Sequence, residues 1–229
     1  DIKGLVYEGR TELMDEIKAT YAQPTDKRTL AEVIDGADVF MGLSAGGVLK
    51  PDMVARMADK PLILALANPT PEITPDEVKA VRSDAVIATG RSDYPNQVNN
   101  VLCFPYLFRG ALDCGATTIN DEMEVAAVHA IAELAQAEQS EEVARAYVGE
   151  KLQFGPEYLI PKPFDPRLMI KVAPAVAKAA EASGVASRPI RDMGSYVQRL
   201  QNFVYTSGTI MTPIIRAAKA AQSKRVAYS

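Results

Sequence analysis

Residues 61–72 read PLILALANPTPE, a short apolar run that ends in small and polar residues. Two other stretches have the same form: ADVFMGLSAGG at residues 37–47 and DAVIATGRSD at residues 84–93. Apolar runs of about four to eight residues bounded by turn residues are typical of buried strands. We therefore predict one strand in each stretch.

Helical patterns separate these predicted strands. One covers residues 50–58 and opens with Pro51, and another covers residues 75–81 with Thr74 as its N-cap. Strands that alternate with helices indicate an α/β fold, here part of a Rossmann-type parallel sheet. Right-handed crossovers align such strands, so their carboxyl ends lie along one edge, where open α/β sheets bind ligands. The residues expected at this edge are Ser44, Gly46, Gly47, Asn68, Pro69, Thr70, Gly90, Arg91 and Ser92.

The stretch YPNQVNN, residues 94–100, follows the third predicted strand. We predict that it opens a helix over residues 96–113, with Asn99 and Asn100 in the first turn and a bend at Pro105. Asn favours turns and caps, so one reading of Asn68, Asn99 and Asn100 is purely structural. The other is a neutral cradle that hydrogen-bonds a carboxylate or carboxamide without exchanging protons. Spacing alone leaves both readings open.

The remainder of the chain is predicted to be a helical C-terminal section. The first of these helices is capped by Asn120 or Thr118, with Met123, Val128, Ile131 and Leu134 on its buried side. The Ala-rich stretches indicate tightly packed helices. The predicted elements are helices over 120–139, 166–183, 192–207 and 211–221, a rigid loop PKPFDPRL at 161–168, and the start of a strand in the final KRVAY.

Composition excludes several classes of function. The 229 residues carry a net charge of −4 without a basic stripe, which argues against a nucleic-acid partner. No apolar run approaches the roughly 18–20 residues of a membrane span. The chain starts at Asp1 without a Met, so we expect a piece of a longer protein, cytoplasmic and with two reduced thiols, Cys103 and Cys114.

The sequence contains no clear motif for other common chemistries. GLSAGG, residues 42–47, matches neither G-x-G-x-x-G nor a P-loop, and no Cys/His/Asp spacing suits a metal. His129 is the sole histidine, and a lone histidine inside a helix is more often solvated or packed than catalytic. We therefore assign no catalytic and no metal-binding residue to this chain.

Several segments together resemble the malic enzymes in their bacterial form. The pairing of NPT with YPNQVNNxxxFP at this spacing is specific, and the resemblance extends to about Arg216. The segments are GLVYEGR (4–10), ADVFMGLSAGGVL (37–49), LALANPTPE (64–72), IATGRSDYPNQVNNVLCFP (87–105) and IPKPFDPRL (160–168).

The resemblance implies an oxidoreductase that converts L-malate to pyruvate and CO₂ with NAD or NADP and with Mg²⁺ or Mn²⁺. It implies that Asn68, Asn99 and Asn100 bind malate, the first two also contacting the cofactor. It further places Asp1 at the adenosine ribose, Lys3 where some members bind the 2′-phosphate, and Ser44 and Ala45 under the cofactor. An acid favours NAD and a base favours NADP, so the presence of both leaves the choice open, with a slight preference for NADP.

The resemblance also defines what this chain lacks. The family's catalytic Tyr and Lys, its substrate Arg, its metal-binding carboxylates and its Gly-rich phosphate loop all precede Asp1. The chain is thus expected to be inactive alone, to need the missing N-terminal part of the same protein, and to function in a homo-oligomer. Residues 1–165 would belong to the dinucleotide-binding domain, 166–221 to the helical section, and 222–229 to the start of a phosphotransacetylase-like domain.

Two other functions remain open at this point. A non-catalytic nucleotide-binding or oligomerisation module would keep the same sheet and packing helices without turnover. Another Rossmann dehydrogenase would share the sheet, although the paired Asn residues are not typical of such enzymes.

Overall fold

The computed structural model describes residues 1–137 and 152–205. The predicted helix at 211–221 and the predicted final strand lie outside these residues, as does the end of the predicted helix at 120–139. The same holds for the proposed start of a following domain at 222–229.

The chain divides into two compact units. The first comprises Asp1–Asn99 and Phe154–Ile160, and the second comprises the described parts of Asn100–Gln153 and Pro161–Ser229. The division between Asn99 and Asn100 falls inside the stretch YPNQVNN. The domain boundary expected after residue 165 stays a prediction.

The first unit contains the predicted sheet. Strands β1 (Val39–Gly42), β2 (Leu62–Ala65) and β3 (Val86–Thr89) are parallel and lie in the order β1-β2-β3. Val39 lies opposite Leu62, which lies opposite Val86. The predicted α/β fold and its three strands are therefore confirmed.

One face of this sheet forms the core of the first unit. Phe40, Ile63 and Ile87, one from each strand, belong to a single cluster of buried side chains together with Val54 and Val78 from the helices. Successive residues of a strand point to opposite faces, so Val39 and Met41 of β1 lie on the other face, where they are 52% and 63% exposed. β1 lies at one edge of the described sheet.

The helices of the first unit are short. α3 (Pro51–Val54) is only four residues long and ends earlier than predicted, because Ala58 donates its N–H to the carbonyl of Ala37 and Lys60 adopts a positive φ of 52° that turns the chain towards β2. Thr74 and Glu77 form the predicted cap of α4 as a capping box. The helices are α1 (Glu16–Thr20), α2 (Leu30–Val33), α3 (Pro51–Val54) and α4 (Pro75–Val81).

The second unit is helical where it is described. Its described elements are a 3-10 turn (Asn100–Leu102), α5 (Phe104–Asp113), α6 (Asp121–Gln136), α7 (Arg167–Ala182) and α8 (Met193–Val204). α7 packs against α6, α5 and α8.

The prediction of one long helix over residues 96–113 is wrong. α5 begins at Phe104, so Pro105 lies in its first turn, where proline is tolerated, and causes no bend. Asn96 has a φ of +55°, which a right-handed helix cannot contain. Asn99 is therefore not in a helix, and Asn100 opens the 3-10 turn instead.

The buried face of α6 was predicted correctly only in part. Asn120 caps the helix by accepting from the N–H of Met123, and Met123 and Leu134 are buried. Val128, which was expected to be buried, is 64% exposed. Five residues separate it from Met123, which turns it about 140° away from the buried face.

Small residues allow the helices of the second unit to approach closely. Ala173, Ala177 and Ala180 of α7 are completely buried, which confirms that the Ala-rich stretches are tightly packed helices. An added Cβ on Gly110 of α5 would collide with the carbonyl oxygen of Ala173. Close helix packing at this contact thus requires glycine.

Buried polar groups of the second unit are paired. The Tyr196 hydroxyl donates to the Asp113 carboxylate over 2.8 Å, and burial followed by this hydrogen bond raises the pKa of Tyr196. In the predicted rigid loop, the fully buried Asp165 carboxylate forms an ion pair with Arg167 over 2.7 Å and also accepts its backbone N–H over 2.9 Å. This pair fixes the start of α7.

Both cysteines are free thiols, as expected. Burial raises the pKa of the Cys103 thiol and of the Cys114 thiol, so both are protonated near neutral pH. In the part of the chain that the structure describes, no helix combines the length and apolarity that crossing a bilayer requires.

Candidate functional site

The carboxyl edge of the sheet consists of the residues that follow Gly42, Ala65 and Thr89, where β1, β2 and β3 end. Ser44 and Ala45 lie there after β1 and are exposed. Because the strands are parallel, their following loops start side by side, as the sequence predicted.

Asn68 follows β2, and its side chain lies against Gly90 at the end of β3. Its side chain is exposed, its peptide bond to Pro69 is cis, and its Nδ2 lies 3.4 Å from the carbonyl of Leu66. An added Cβ on Gly90 would lie only 2.8 Å from the Asn68 Oδ1. Glycine at position 90 therefore gives the Asn68 amide room to lie across the end of β3.

The segment that leads to Asn99 is attached to the same strand. Val98 donates its N–H to the carbonyl of Thr89 over 2.8 Å, and the Gln97 Nε2 lies 3.5 Å from the carbonyl of Gly90. Gly90 thus contacts both the Asn68 amide and the side chain two residues before Asn99. Asn99 itself is exposed.

Asn100 is exposed and begins the second unit. Its carbonyl accepts from the N–H of Cys103 over 3.1 Å within the 3-10 turn. That Asn100 meets Asn68 and Asn99 at one site stays a prediction.

Asn96, in the same stretch, is structural. It is buried, its Nδ2 donates to the carbonyls of Ile87 over 3.0 Å and Pro156 over 2.7 Å, and its Oδ1 accepts from the N–H of Leu159 over 2.7 Å. Its amide therefore continues the hydrogen bonding of β3 and fixes residues 154–160 beside it. The doublet Pro95–Asn96 was the sequence signal for such a turn.

Glu72 is a residue that sequence reasoning missed. It is completely buried, and its carboxylate accepts backbone N–H groups from Ser44 over 2.8 Å and from Ala67 over 3.0 Å. A carboxylate so far from water is a costly feature unless it is hydrogen-bonded. In the sequence it is distinguished only by its place directly after NPTP.

Asp1 and Lys3 are engaged in ion pairs. The Arg10 Nη2 donates to both oxygens of the Asp1 carboxylate over 2.8 and 2.9 Å, and the Lys18 Nζ lies 3.1 Å from it. The Lys3 Nζ pairs with Glu12 over 2.9 Å. Sequence reasoning missed Arg10, which is buried and holds the Asp1 carboxylate in this cluster.

A charged pair borders the carboxyl edge after β3. The Arg91 guanidinium donates to Asp93 over 2.6 and 2.8 Å, which lowers the pKa of the Asp93 carboxyl and raises that of Arg91. Burial and the neighbouring Asp76 raise the pKa of Tyr94. Near neutral pH Arg91 and Asp93 therefore form a charged ion pair, and the Tyr94 hydroxyl is un-ionised.

In the described residues, acidic and imidazole side chains do not cluster around a possible metal position. Among residues 1–137 and 152–205, no group of three or more His, Cys, Asp or Glu side chains is placed to hold a metal ion. His129 is exposed on α6. The Mg²⁺ or Mn²⁺ implied by the resemblance therefore does not fit the described residues.

Comparison with known proteins places this geometry in a family. A family model described as "Malic enzyme, NAD binding domain" matches residues 1–147. The chain belongs to the malic enzyme family. Among relatives, the NAD-dependent malic enzyme of Rhizobium meliloti is 65% identical over all 229 residues, and the NADP-dependent malic enzyme of Escherichia coli is 62% identical over 227 residues, 99% of the chain.

Solved malic enzyme structures share the fold of this malic enzyme chain. The Entamoeba histolytica enzyme matches with a TM-score of 0.72 and 28% identity over 96% of the chain and 44% of its own length. The Pyrococcus horikoshii enzyme matches with a TM-score of 0.65 and 35% identity over 82% of the chain and 40% of its own length. These likenesses confirm the partial Rossmann-type sheet.

The malic enzyme chain spans about 30% of the length of the curated relatives named above. Its relatives include both NAD-dependent and NADP-dependent enzymes at nearly equal identity. Overall similarity thus supports a nicotinamide dinucleotide as cofactor and does not choose between the two.

Proposed function

We propose that the complete protein oxidises and decarboxylates L-malate to pyruvate and CO₂ with NAD(P), and that this chain supplies part of its cofactor and substrate sites. The observation that carries the proposal is a pair of contacts at Gly90, on the carboxyl edge of a malic enzyme sheet. The Asn68 amide lies against Gly90, and so does the side chain of Gln97, in the segment before Asn99. Ligands of open α/β sheets bind at this edge.

The amides at the carboxyl edge suit a small diacid and a nicotinamide. Asn Nδ2 donates and Oδ1 accepts, so these side chains can orient a carboxylate and a carboxamide while staying neutral. The assigned roles are substrate binding for Asn68, Asn99 and Asn100, and cofactor binding for Asp1, Lys3, Ser44, Ala45, Asn68 and Asn99.

The nicotinamide, when bound, supplies the acceptor for the hydride that leaves malate C2. The exposed residues Ser44 and Ala45 would lie along the dinucleotide, since small residues let a ligand approach the main chain. The metal ligands and the acid and base of the reaction are assigned to the part of the protein that precedes Asp1. Assembly into a homo-oligomer and location in the cytoplasm also stay predictions.

We propose NADP rather than NAD as the preferred cofactor. The Asp1 carboxylate is already neutralised by Arg10 and Lys18, so it is a weaker acceptor for ribose hydroxyls than a free acid. The basic groups of this segment are Arg10, Lys18 and Lys3, and a 2′-phosphate would take the place of the carboxylates that now pair with them.

Asn100→Ala in the complete protein tests the substrate role. We expect kcat/KM for malate to fall by an amount equivalent to about 1–3 kcal/mol, the cost of one unmade polar contact. Asn202→Ala, an exposed amide on α8, serves as the control and should leave kcat/KM unchanged. A normal kcat/KM for malate in Asn100→Ala would remove Asn100 from the site.

The isolated 229-residue chain should not turn over malate, because the catalytic acid and base are expected elsewhere in the protein. Purified chain incubated with malate, Mn²⁺ and NADP⁺ or NAD⁺ should show no increase in absorbance at the reduced nicotinamide band. Sustained malate-dependent reduction by the chain alone would contradict the assignment of those groups.

A further inference from the structure

We propose that Glu72 is a positioning residue, whose carboxylate holds the ends of β1 and β2 in the arrangement that binds the dinucleotide. This inference rests on the proposed function. Glu72 acts through the backbone N–H groups of Ser44, a predicted cofactor residue, and of Ala67, which precedes Asn68.

The carboxylate of Glu72 bridges two strands. Its Oε1 accepts the Ser44 N–H over 2.8 Å and lies 3.4 Å from the Ser44 hydroxyl, while its Oε2 accepts the Ala67 N–H over 3.0 Å. Ser44 follows β1, and Ala67 immediately precedes Asn68. Both loops of the proposed cofactor site are therefore fixed by one side chain.

The two oxygens of the Glu72 carboxylate satisfy both donors. Two backbone N–H groups need two acceptor oxygens, whereas a glutamine in the same place offers one oxygen and one NH₂ group. Gly42 makes room for it, since an added Cβ there would lie 2.8 Å from the Glu72 Cγ and 2.5 Å from its Oε1. The absence of a side chain at position 42 is thus part of the same arrangement.

The role is local rather than global. The Glu72 carbonyl accepts the Leu49 N–H over 3.1 Å, and the Pro71 carbonyl accepts the Gly47 N–H over 3.1 Å. These backbone bonds tie the two loops together without the carboxylate. Loss of the carboxylate should therefore move Ser44 and Ala67 while leaving the sheet folded.

The test is Glu72→Gln in the complete protein, with Glu77→Gln as the control. Glu77 lies five residues away on the same segment, is exposed, and forms only the cap of α4. KM for the dinucleotide, KM for malate, kcat and the midpoint of thermal unfolding are measured for each, and Kd for NADPH is obtained by fluorescence titration.

We expect Glu72→Gln to raise KM for the dinucleotide and Kd for NADPH by about tenfold, with kcat within about twofold of the wild type. Glu77→Gln should leave both constants unchanged. A folded Glu72→Gln with normal KM and Kd would overturn the proposal, and so would a lower unfolding midpoint without any change in either constant.

A second variant covers the case in which Glu72→Gln does not fold. Gly42→Ala crowds the Glu72 side chain out of its place without replacing the residue, and it should raise the same two constants; normal values would overturn the proposal. If the wild type binds NADPH but does not reduce NADP⁺ with malate, the proposed function fails, whereas a raised Kd in Glu72→Gln still supports the positioning role.

Discussion

Asn96→Ala is expected to lower the free energy of unfolding of the first unit by about 3–4 kcal/mol. The substitution leaves the carbonyls of Ile87 and Pro156 without the Asn96 amide and the N–H of Leu159 without its acceptor. These groups lie around a side chain that is 3% exposed, so water cannot readily replace it. Alanine also tolerates the φ of +55° less well than asparagine does.

Hydrogen exchange of the complete protein measures this loss directly, on peptides that cover β3 and residues 154–160. Asn96→Gly is the matched variant: it loses the same bonds but accepts the backbone conformation, so its loss should be smaller by about 1 kcal/mol. Asn99→Ala, at an exposed position in the same stretch, should leave the exchange of these peptides unchanged. Wild-type protection of residues 154–160 in Asn96→Ala would show that the amide does not hold this segment.

Gly110→Ala should destabilise the second unit by about 2–3 kcal/mol. The new Cβ would collide with the carbonyl oxygen of Ala173 and would lie 2.9 Å from the Cβ of Val176, both on α7. Because these atoms are backbone and fully buried side chain, neither can move aside without separating α5 from α7. The loss of packing outweighs the roughly 1 kcal/mol by which alanine favours a helix over glycine.

Gly194→Ala provides the control for helix propensity. Gly194 also lies in a helix, α8, but the nearest atom to its added Cβ is the Asp192 Oδ1 at 3.3 Å. Urea denaturation of the complete protein should show a lower midpoint for Gly110→Ala and an unchanged or slightly higher one for Gly194→Ala. Equal midpoints for the two variants would mean that the α5–α7 contact has room for a methyl group.

The sheet could be predicted because each strand carries its own local signal. Runs such as PLILALA, bounded by proline and asparagine, indicate buried strands without knowledge of their neighbours. The capping residues Thr74 and Asn120 were predicted for the same reason, since capping depends on residues within one turn. The parallel alignment of the strands then followed from general rules of connection.

Features that depend on contacts distant in sequence were not predicted. Asn96 leaves the helical conformation because its amide bonds to Pro156 and Leu159, about sixty residues later. In the sequence Glu72 resembles any other loop acid, because the Ser44 N–H that donates to it lies 28 residues earlier. The same holds for Asp1, whose partners Arg10 and Lys18 are brought together only by the fold.

The candidate site was predicted more from family resemblance than from spacing. Residue types alone allowed Asn68, Asn99 and Asn100 to be either turn and cap residues or ligand-binding residues. The structure places Asn68 and the segment before Asn99 against Gly90, which supports ligand binding at this edge.

The most direct test is a crystal structure of the complete protein with NADP⁺ and oxalate, an unreactive diacid. The account predicts that the amide groups of Asn68, Asn99 and Asn100 lie within about 3.5 Å of polar atoms of the diacid or the nicotinamide. Bound ligands that contact none of these three side chains would contradict it.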